Sequence, residues 1–140
     1  NVVNAENFMS YDFTLKKDAK KFEEGTPNTI SIHAFGAALG LLLETGIENI
    51  EKRVMGLGDC IINELNRRNI KIYSSTQFPE RSGNISFVLD KDINKLYSFM
   101  LENKVKLTVR DGLVRFSPHF YNHEEEILKV FDLLDWYLKK

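Results

Sequence analysis

The stretch KVKLTVRDGLVRF, residues 104–116, predicts a two-stranded antiparallel hairpin. Apolar and polar side chains alternate on both sides of Asp111-Gly112, and an Asp-Gly pair between two alternating runs is typical of a two-residue hairpin turn. A turn at that pair places the apolar side chains of both strands on one face, so the register is self-consistent. The predicted cross-strand pairs are Arg110 with Leu113, Val109 with Val114, Thr108 with Arg115, and Leu107 with Phe116. The other face then carries Thr108, Arg110, Arg115 and Ser117.

Two helices are predicted upstream of the hairpin. Residues 28–44 are apolar nearly all round, so we expect this helix to be buried on most sides, and Gly46 is well placed to end it. Residues 47–68 carry one apolar stripe and one charged face, which is typical of an amphipathic helix. A short alternating piece at residues 11–15 is compatible with a strand.

Strand and helix patterns alternate over the rest of the chain. Residues 70–74 and 84–89 are predicted strands, and Asp90 is predicted to cap the helix that follows them. The last helix is predicted to begin at Asn122, with Glu125 as its capping-box partner. The complete order is two N-terminal helices followed by β-β-α-β-β-α. It predicts an α+β fold, a small and mainly antiparallel sheet with helices packed on one face.

The composition is that of one ordinary folded domain. The chain has 140 residues, of which 43% are apolar and 28% are charged, and its net charge is −1. This balance gives no electrostatic basis for binding nucleic acid or an anionic membrane, and no apolar run reaches the ~20 residues that span a bilayer. Cys60 is the only cysteine, which excludes an internal disulfide and favours a cytoplasmic protein. The N-terminus has neither a signal-peptide pattern nor an initiator Met, which indicates a processed chain or a fragment.

Histidine and cysteine positions do not predict a catalytic or metal site. His33, His119 and His123 lack the spacing of metal ligands, so no metal is expected. His33 is expected to lie in or beside the buried first helix, and His123 on the surface. Cys60 adjoins an apolar stripe, where a buried and unreactive thiol is expected. No residue of this chain is assigned a catalytic role.

Two segments combine residue types that suit the binding of an anion. Gly25 and Thr26 precede the apolar helix, where a hydroxyl and the helix N-terminus can hold a phosphate; an ordinary capped loop is the alternative. Arg115 stands in the middle of a strand, where a guanidinium can bind a carboxylate through two parallel hydrogen bonds. An arginine on a solvated sheet face is the alternative there.

The two segments together resemble a known enzyme family. FEEGTPN at residues 22–28, followed by RFSPHFYN at residues 115–122, resembles the class V aminotransferases of the fold-type I pyridoxal-phosphate group. The helical stretch ETGIENI at residues 44–50 is also similar to that family. The resemblance implies that residues 25–140 are the C-terminal small domain of such an enzyme, and that residues 1–24 are a polar lead-in from a missing large domain. It further implies a homodimer that acts on an amino-acid substrate with pyridoxal 5′-phosphate as cofactor.

The resemblance implies roles for a few residues. Thr26, with Gly25 beside it, would contact the cofactor phosphate bound by the other subunit, and Arg115 would bind the α-carboxylate of the substrate. Tyr121-Asn122 would start the terminal helix that positions the strand of Arg115. Lys21 stands where the family usually has arginine, so that position is left unassigned. The Schiff-base lysine of the family lies in the large domain, so this chain alone is expected to be inactive.

The turn of the hairpin narrows the reaction type. Cysteine desulfurases of the family carry a nucleophilic cysteine on a loop shortly before the carboxylate-binding arginine, whereas here Asp111-Gly112 joins the strands directly. A desulfurase is therefore disfavoured, and transamination, epimerisation, lyase and hydrolase reactions remain open. A non-enzymatic module for small-molecule binding or dimerisation is the alternative to an enzyme, since a small α+β layer needs no catalytic motif.

Overall fold

The chain divides into two compact units. The computed structural model describes residues 2–3, 7, 9, 11–23 and 25–140. The first unit is Asn1–Glu44 and the second is Thr45–Lys140. That residues 1–24 lead in from a large domain stays a prediction.

The first unit contains a short 3-10 helix, Ala19–Phe22, and a helix, α1, Thr29–Thr45. Asn28 begins α1, because its side-chain oxygen accepts a hydrogen bond from the Ser31 backbone N–H at 3.1 Å. The predicted strand at residues 11–15 is wrong, since only Leu15 forms a bridge, with Val2. A single bridge is too short to make a strand.

The first unit does not by itself bury α1, which was expected to be buried on most sides. No residue of α1 is buried; the exposed fractions of Ile30 and Leu43 are 82% and 72%, and His33 is exposed as well. A Cβ added at Gly36 or Gly40 would meet no atom within 4 Å. An apolar helix surface predicts that the helix is buried, but it does not identify the segment that packs against it.

The second unit is an α+β layer, as predicted. Its elements in chain order are α2 (Ile47–Arg67), β1 (Ile85–Phe87), α3 (Ile93–Glu102), β2 (Thr108–Arg110), β3 (Leu113–Phe116) and α4 (Glu124–Leu138). The three strands form one antiparallel sheet in the order β1-β3-β2. Residues 70–74 are not the predicted strand, because only Ile72 bridges to β1, at Phe87. The β-β-α-β-β-α order therefore loses its first strand.

One face of the sheet forms the core with the helices. Aromatic rings connect β1, β3 and α4. The ring centres of Phe87 on β1 and Phe116 on β3 lie 5.0 Å apart, and those of Phe116 and Phe131 on α4 lie 5.8 Å apart. Both pairs meet edge to face. The fully buried residues that cluster with these rings are Ile61, Leu65, Ile85, Leu96, Met100, Val114 and Leu134. Because α2, α3 and α4 all contribute to this cluster, the helices cover a single face and leave the other face of the sheet for polar side chains.

Two helix caps lie one or two residues beyond their predicted positions. Asp92, not Asp90, caps α3, because its carboxylate accepts from the backbone N–H groups of Asn94 and Lys95 at 3.0 and 3.1 Å. His123, not Asn122, caps α4, and its backbone N–H donates to Glu126, not Glu125, at 2.9 Å. Neighbouring residues of similar chemistry compete for a cap, and the path of the chain into the helix decides between them.

An ion pair joins α2 to α4. Arg68, at the end of α2, donates from Nε to Asp135 of α4 at 2.6 Å, and it also pairs with Glu64 one turn earlier. Its guanidinium carbon lies 4.8 Å from the centre of the Phe131 ring. Hydrogen bonding from Arg68 lowers the pKa of Asp135, and the same contact raises the pKa of Arg68.

We expect this pair to make the stability of the second unit sensitive to acid. Because the pKa of Asp135 is lower in the folded than in the unfolded state, its contribution is complete above the ordinary aspartate pKa. That contribution is lost as the pH falls through the lowered pKa. Asp135→Asn should therefore reduce the urea midpoint at about pH 6, and the deficit should vanish near about pH 2. The matched control is Asp132→Asn, an exposed residue of α4 without an ion pair to any described residue. A deficit that is independent of pH would contradict the assignment.

Candidate carboxylate and phosphate sites

The hairpin that carries Arg115 has the predicted register. Arg110 pairs with Leu113, Val109 with Val114, and Thr108 with Arg115. The fourth predicted pair, Leu107 with Phe116, lies beyond the end of the β2–β3 pairing. Asp111 and Gly112 have φ values of 52° and 77°, and two consecutive positive φ angles are what a type I′ turn requires. The turn prediction is therefore confirmed.

Arg115 lies on the central strand of the sheet. Its cross-strand neighbours are Thr108 on β2 and Ser86 on β1. Val114 and Phe116, on either side of it along β3, are buried in the core, so the alternation of the strand directs Arg115 to the opposite face. A central strand held by two neighbours is the most rigid position that this sheet offers.

The guanidinium of Arg115 has no partner among the described residues. No ion pair or hydrogen bond involves it, its Nε is buried without a hydrogen-bond partner, and the side chain as a whole is partly buried. Unsatisfied buried donors are uncommon, since each one gives up its hydrogen bonds to water. A carboxylate would satisfy this arginine through charge-assisted hydrogen bonds. The guanidinium of Arg115 is therefore available to an anionic ligand, whereas Arg81, whose Nε is also buried without a partner, is held by Asp59 and Met55.

An arginine that sequence analysis missed holds the segment after β3. Arg53 of α2 donates to the backbone oxygen of Asn122 at 2.7 Å and to the carboxylate of Glu124 at 2.6 Å. The side-chain oxygen of Asn122 accepts from the His119 backbone N–H at 2.8 Å. These bonds fix the approach to α4, while Tyr121 itself is exposed. No local pattern could reveal Arg53, because its partners lie about seventy residues away in sequence.

A second missed arginine holds the loop before β1. Arg81 donates to Asp59 at 2.5 Å and to the backbone oxygen of Met55 at 2.8 Å, both on α2. Gly83 lies so close to Val54 that a Cβ there would clash with the valine side chain. The loop therefore lies directly against α2, and this contact sets where β1 begins.

Gly25 and Thr26 precede α1 in the first unit. Gly25 has a φ of 64°, a conformation that favours glycine. Thr26 is exposed, and neither its hydroxyl nor its backbone N–H bonds to any described residue. A free hydroxyl and a free N–H beside a helix N-terminus fit a contact to a phosphate, although they supply only part of a phosphate site. Lys21 has an interaction of its own and is not assigned to this site.

The remaining candidates do not add a reactive group. Cys60 is partly buried, and burial raises the pKa of its thiol, with Glu64 and Glu124 acting in the same direction. His119 stacks on Tyr121 at 4.6 Å, and both His119 and His123 are exposed. In the part of the chain that the structure describes, no three His, Cys, Asp or Glu residues are grouped to hold a metal ion.

No single helix in the described ranges is long and apolar enough to cross a membrane. Only α1 and α2 taken together, as a broken pair, satisfy that criterion, and they do so by length and composition alone.

Comparison with known proteins decides the family. A family model for aminotransferase class-V matches residues 3–130, which is most of the chain. The chain belongs to the class V aminotransferase family. Both motif segments, 22–28 and 115–122, lie inside the matched region.

The relatives of this class V chain are much longer than it is. A Bacillus subtilis protein named as an uncharacterized aminotransferase is 27% identical over 122 residues, covering 87% of this chain and 32% of the relative. A protein from Haloferax volcanii named as a cysteine desulfurase is 29% identical over 130 residues, covering 82% of this chain and 30% of the relative. The chain thus spans about a third of the length of the curated relatives that it matches.

Solved structures share the fold of this class V chain. A cysteine desulfurase from Thermococcus onnurineus, solved in its apo form, superposes with a TM-score of 0.81 at 19% identity, covering 90% of this chain and 35% of that one. A NifS-like protein gives a TM-score of 0.73 at 16% identity, covering 91% of this chain and 38% of that one. At these identities the likeness is one of fold.

Proposed function

We propose that this chain is the C-terminal small domain of a pyridoxal-phosphate enzyme that acts on an amino acid, of transaminase, epimerase or lyase type. In this proposal Arg115 binds the α-carboxylate of the substrate, and Thr26 with Gly25 contacts the cofactor phosphate held by the other subunit of a cytoplasmic homodimer. The observation that carries the proposal is the unpaired guanidinium of Arg115 on the central strand of the sheet.

The surroundings of Arg115 support a carboxylate ligand. The pairs across the sheet are the hydroxyl residues Ser86 and Thr108, and Arg110 lies diagonally on the same face. Neither paired position is acidic, and the charge of Arg110 is already balanced by Asp111 at 3.7 Å, so the unpaired guanidinium of Arg115 is the group that an incoming carboxylate meets. The α-carboxylate is the one anionic group that all amino-acid substrates share. A residue that binds it can therefore lie at a fixed position, such as the central strand that carries Arg115.

The rest of the cofactor site is proposed to lie in the large domain. When bound, the cofactor supplies an electron sink for bonds at the α-carbon of the amino acid, and a lysine must anchor it. Every lysine in residues 45–140 is exposed, so none has the desolvated setting that such a lysine needs. The chain alone is therefore expected to be inactive.

The exposed surface of α1 supports the presence of a further domain or subunit. Its uncovered side chains include Phe35, Leu39 and Leu41, with exposed fractions of 66%, 42% and 56%. A contiguous apolar helix surface of this kind usually lies in an interface. We propose that the large domain or the second subunit covers it.

Within the family, we propose that the enzyme is not a cysteine desulfurase. Two of the matched proteins carry that name, but the two-residue turn Asp111-Gly112 before Arg115 has no cysteine. Cys60 is no substitute, because burial raises its thiol pKa and disfavours the nucleophilic thiolate.

The proposal is tested on the full-length polypeptide that contains this chain. We expect it to purify with bound pyridoxal phosphate, released by alkali and quantified by absorbance. Titration with each of the twenty standard amino acids should then change the cofactor spectrum for at least one of them. Thr26→Val should weaken cofactor binding by about tenfold, since it removes one hydrogen bond to a charged phosphate.

Two results would overturn the proposal. A full-length protein that takes up no pyridoxal phosphate would favour the non-enzymatic module instead. Uptake without any spectral response to amino acids would leave the family membership intact but remove the amino-acid substrate.

A further inference from the structure

Three polar residues form a row across the outer face of the sheet. Ser86 on β1, Arg115 on β3 and Thr108 on β2 are direct cross-strand partners, so their side chains project from the same face. Each hydroxyl residue is partly buried, and neither hydroxyl bonds to any described residue. Arg115 thus stands between two unused hydroxyl groups.

The Nε of Arg115 needs an acceptor. It is buried and has no hydrogen-bond partner, whereas the outer nitrogens of the guanidinium can reach a ligand. Nε lies beyond three methylene groups from the backbone, and rotation about the torsions of that stem can lower it toward a hydroxyl on a neighbouring strand. Directly opposed residues on neighbouring strands have Cβ atoms about 4.5–5.5 Å apart, so a rearranged Arg115 side chain can bring Nε to the oxygen of Ser86 or Thr108.

The backbone of this row is held in place. The Ser86 backbone N–H donates to the Ser74 hydroxyl at 2.7 Å, and its carbonyl accepts from Tyr73 at 2.8 Å. Thr108 is fixed by its pairing with Arg115 of β3, three residues before Asp111 of the turn. Only the hydroxyl rotations and the Arg115 side-chain torsions are left to adjust when a ligand arrives.

We propose that Ser86 and Thr108 are positioning residues for Arg115. This inference rests on the proposed function of Arg115. When a substrate carboxylate binds, a hydroxyl of the row accepts the Nε–H of Arg115 and fixes the plane of the guanidinium. The two outer nitrogens then face the carboxylate together, which is the geometry of bidentate recognition. The hydroxyls act through the arginine and do not touch the reacting atoms.

The test measures amino-acid binding by the full-length, cofactor-loaded protein. The probes are the tightest-binding amino acid of the twenty and the amine that corresponds to it without the carboxylate. In the double variant Ser86→Ala with Thr108→Val, the dissociation constant of the amino acid should rise about tenfold, the loss expected for a hydrogen bond to a charged group. Binding of the amine and the value of kcat at saturation should not change.

Three further proteins separate positioning from a structural effect. Ser86→Ala with Thr108→Ser keeps one hydroxyl and should restore most of the affinity. When Arg115 is already alanine, removing both hydroxyls should not change the dissociation constant of the amino acid further, because the hydroxyls act only through Arg115. Ser98→Ala, an exposed serine of α3, is the matched control and should bind both probes like the unmodified protein.

The outcomes distinguish this inference from the proposed function. If Arg115→Ala weakens amino-acid binding but the double hydroxyl variant does not, the positioning role is wrong and the carboxylate site stands. If the double variant weakens the amine as much as the amino acid, its effect is structural and the positioning role is also wrong. If Arg115→Ala itself changes nothing, the proposed function fails first.

Discussion

Arg115→Ala in the full-length enzyme should raise KM for the amino acid by about a hundredfold. The replacement removes two charge-assisted hydrogen bonds, and each such bond contributes about 1.5 kcal/mol or more. Because the contact is made in the ground state and in the transition state alike, kcat should change much less than KM. Cofactor content should remain that of the unmodified enzyme, since Arg115 is assigned to the substrate alone. Steady-state kinetics with the best amino acid, alongside cofactor absorbance, provide the measurement.

The neighbouring strand offers a matched control for this variant. Arg110 lies on the same face of the sheet, but its side chain is 78% exposed and its one ionic neighbour, Asp111, is 3.7 Å away. Arg110→Ala should therefore leave KM within about twofold of the original value, as expected for an exposed charge. Arg115→Lys, which keeps the charge but loses the planar fork, should fall between the two. Unchanged kinetics in Arg115→Ala would refute the assignment.

Phe131→Ala should lower the free energy of unfolding of the second unit by about 3–5 kcal/mol. Phe131 is fully buried on α4, meets Phe116 edge to face, and lies beneath the guanidinium of Arg68. Truncation to alanine loses this packing and leaves a cavity between helix and sheet that the neighbours can only partly fill. Urea unfolding of the 140-residue chain, followed by circular dichroism, measures the loss.

An exposed residue of α4 serves as the control that shows whether the loss of unfolding free energy comes from the buried core. Leu128 lies almost one turn earlier on α4 and is 44% exposed. Leu128→Ala should cost less than about 1 kcal/mol, since its side chain leaves water only in part. Equal losses in the two variants would mean that α4 does not pack on the sheet through Phe131.

Where local chemistry decides the structure, the sequence was sufficient. The Asp111-Gly112 turn and the alternation around it predicted three observed cross-strand pairs, because a two-residue turn with positive φ angles allows a single register. The bounds of α2 were predicted to within a residue for a similar reason, since its apolar stripe and Gly46 are both local features. The resemblance of two short segments to class V aminotransferases was likewise enough to predict the family.

Where two or more segments must meet, the sequence was not sufficient. Residues 70–74 have a strand pattern and make backbone hydrogen bonds to Ser86 and Val88, but their pairing with β1 is a single bridge, at Ile72, and is too short to form a strand. The apolar character of α1 predicted burial that the first unit by itself does not provide. Asp92 was preferred to Asp90 as a cap because of the path of the backbone, which propensity does not encode.

The sequence by itself determined the hairpin, and with it the face of the sheet on which Arg115 lies, because the turn and the alternation act over a few neighbouring residues. Only the tertiary structure decided that Ser86 lies on the other side of Arg115 from Thr108, and that Nε is buried and unpaired. That arrangement depends on the pairing of β1 with β3, and in the chain these strands are separated by α3 and β2. Such long-range pairing is set by packing of the whole unit, so the residue types close to Arg115 in the sequence do not predict it.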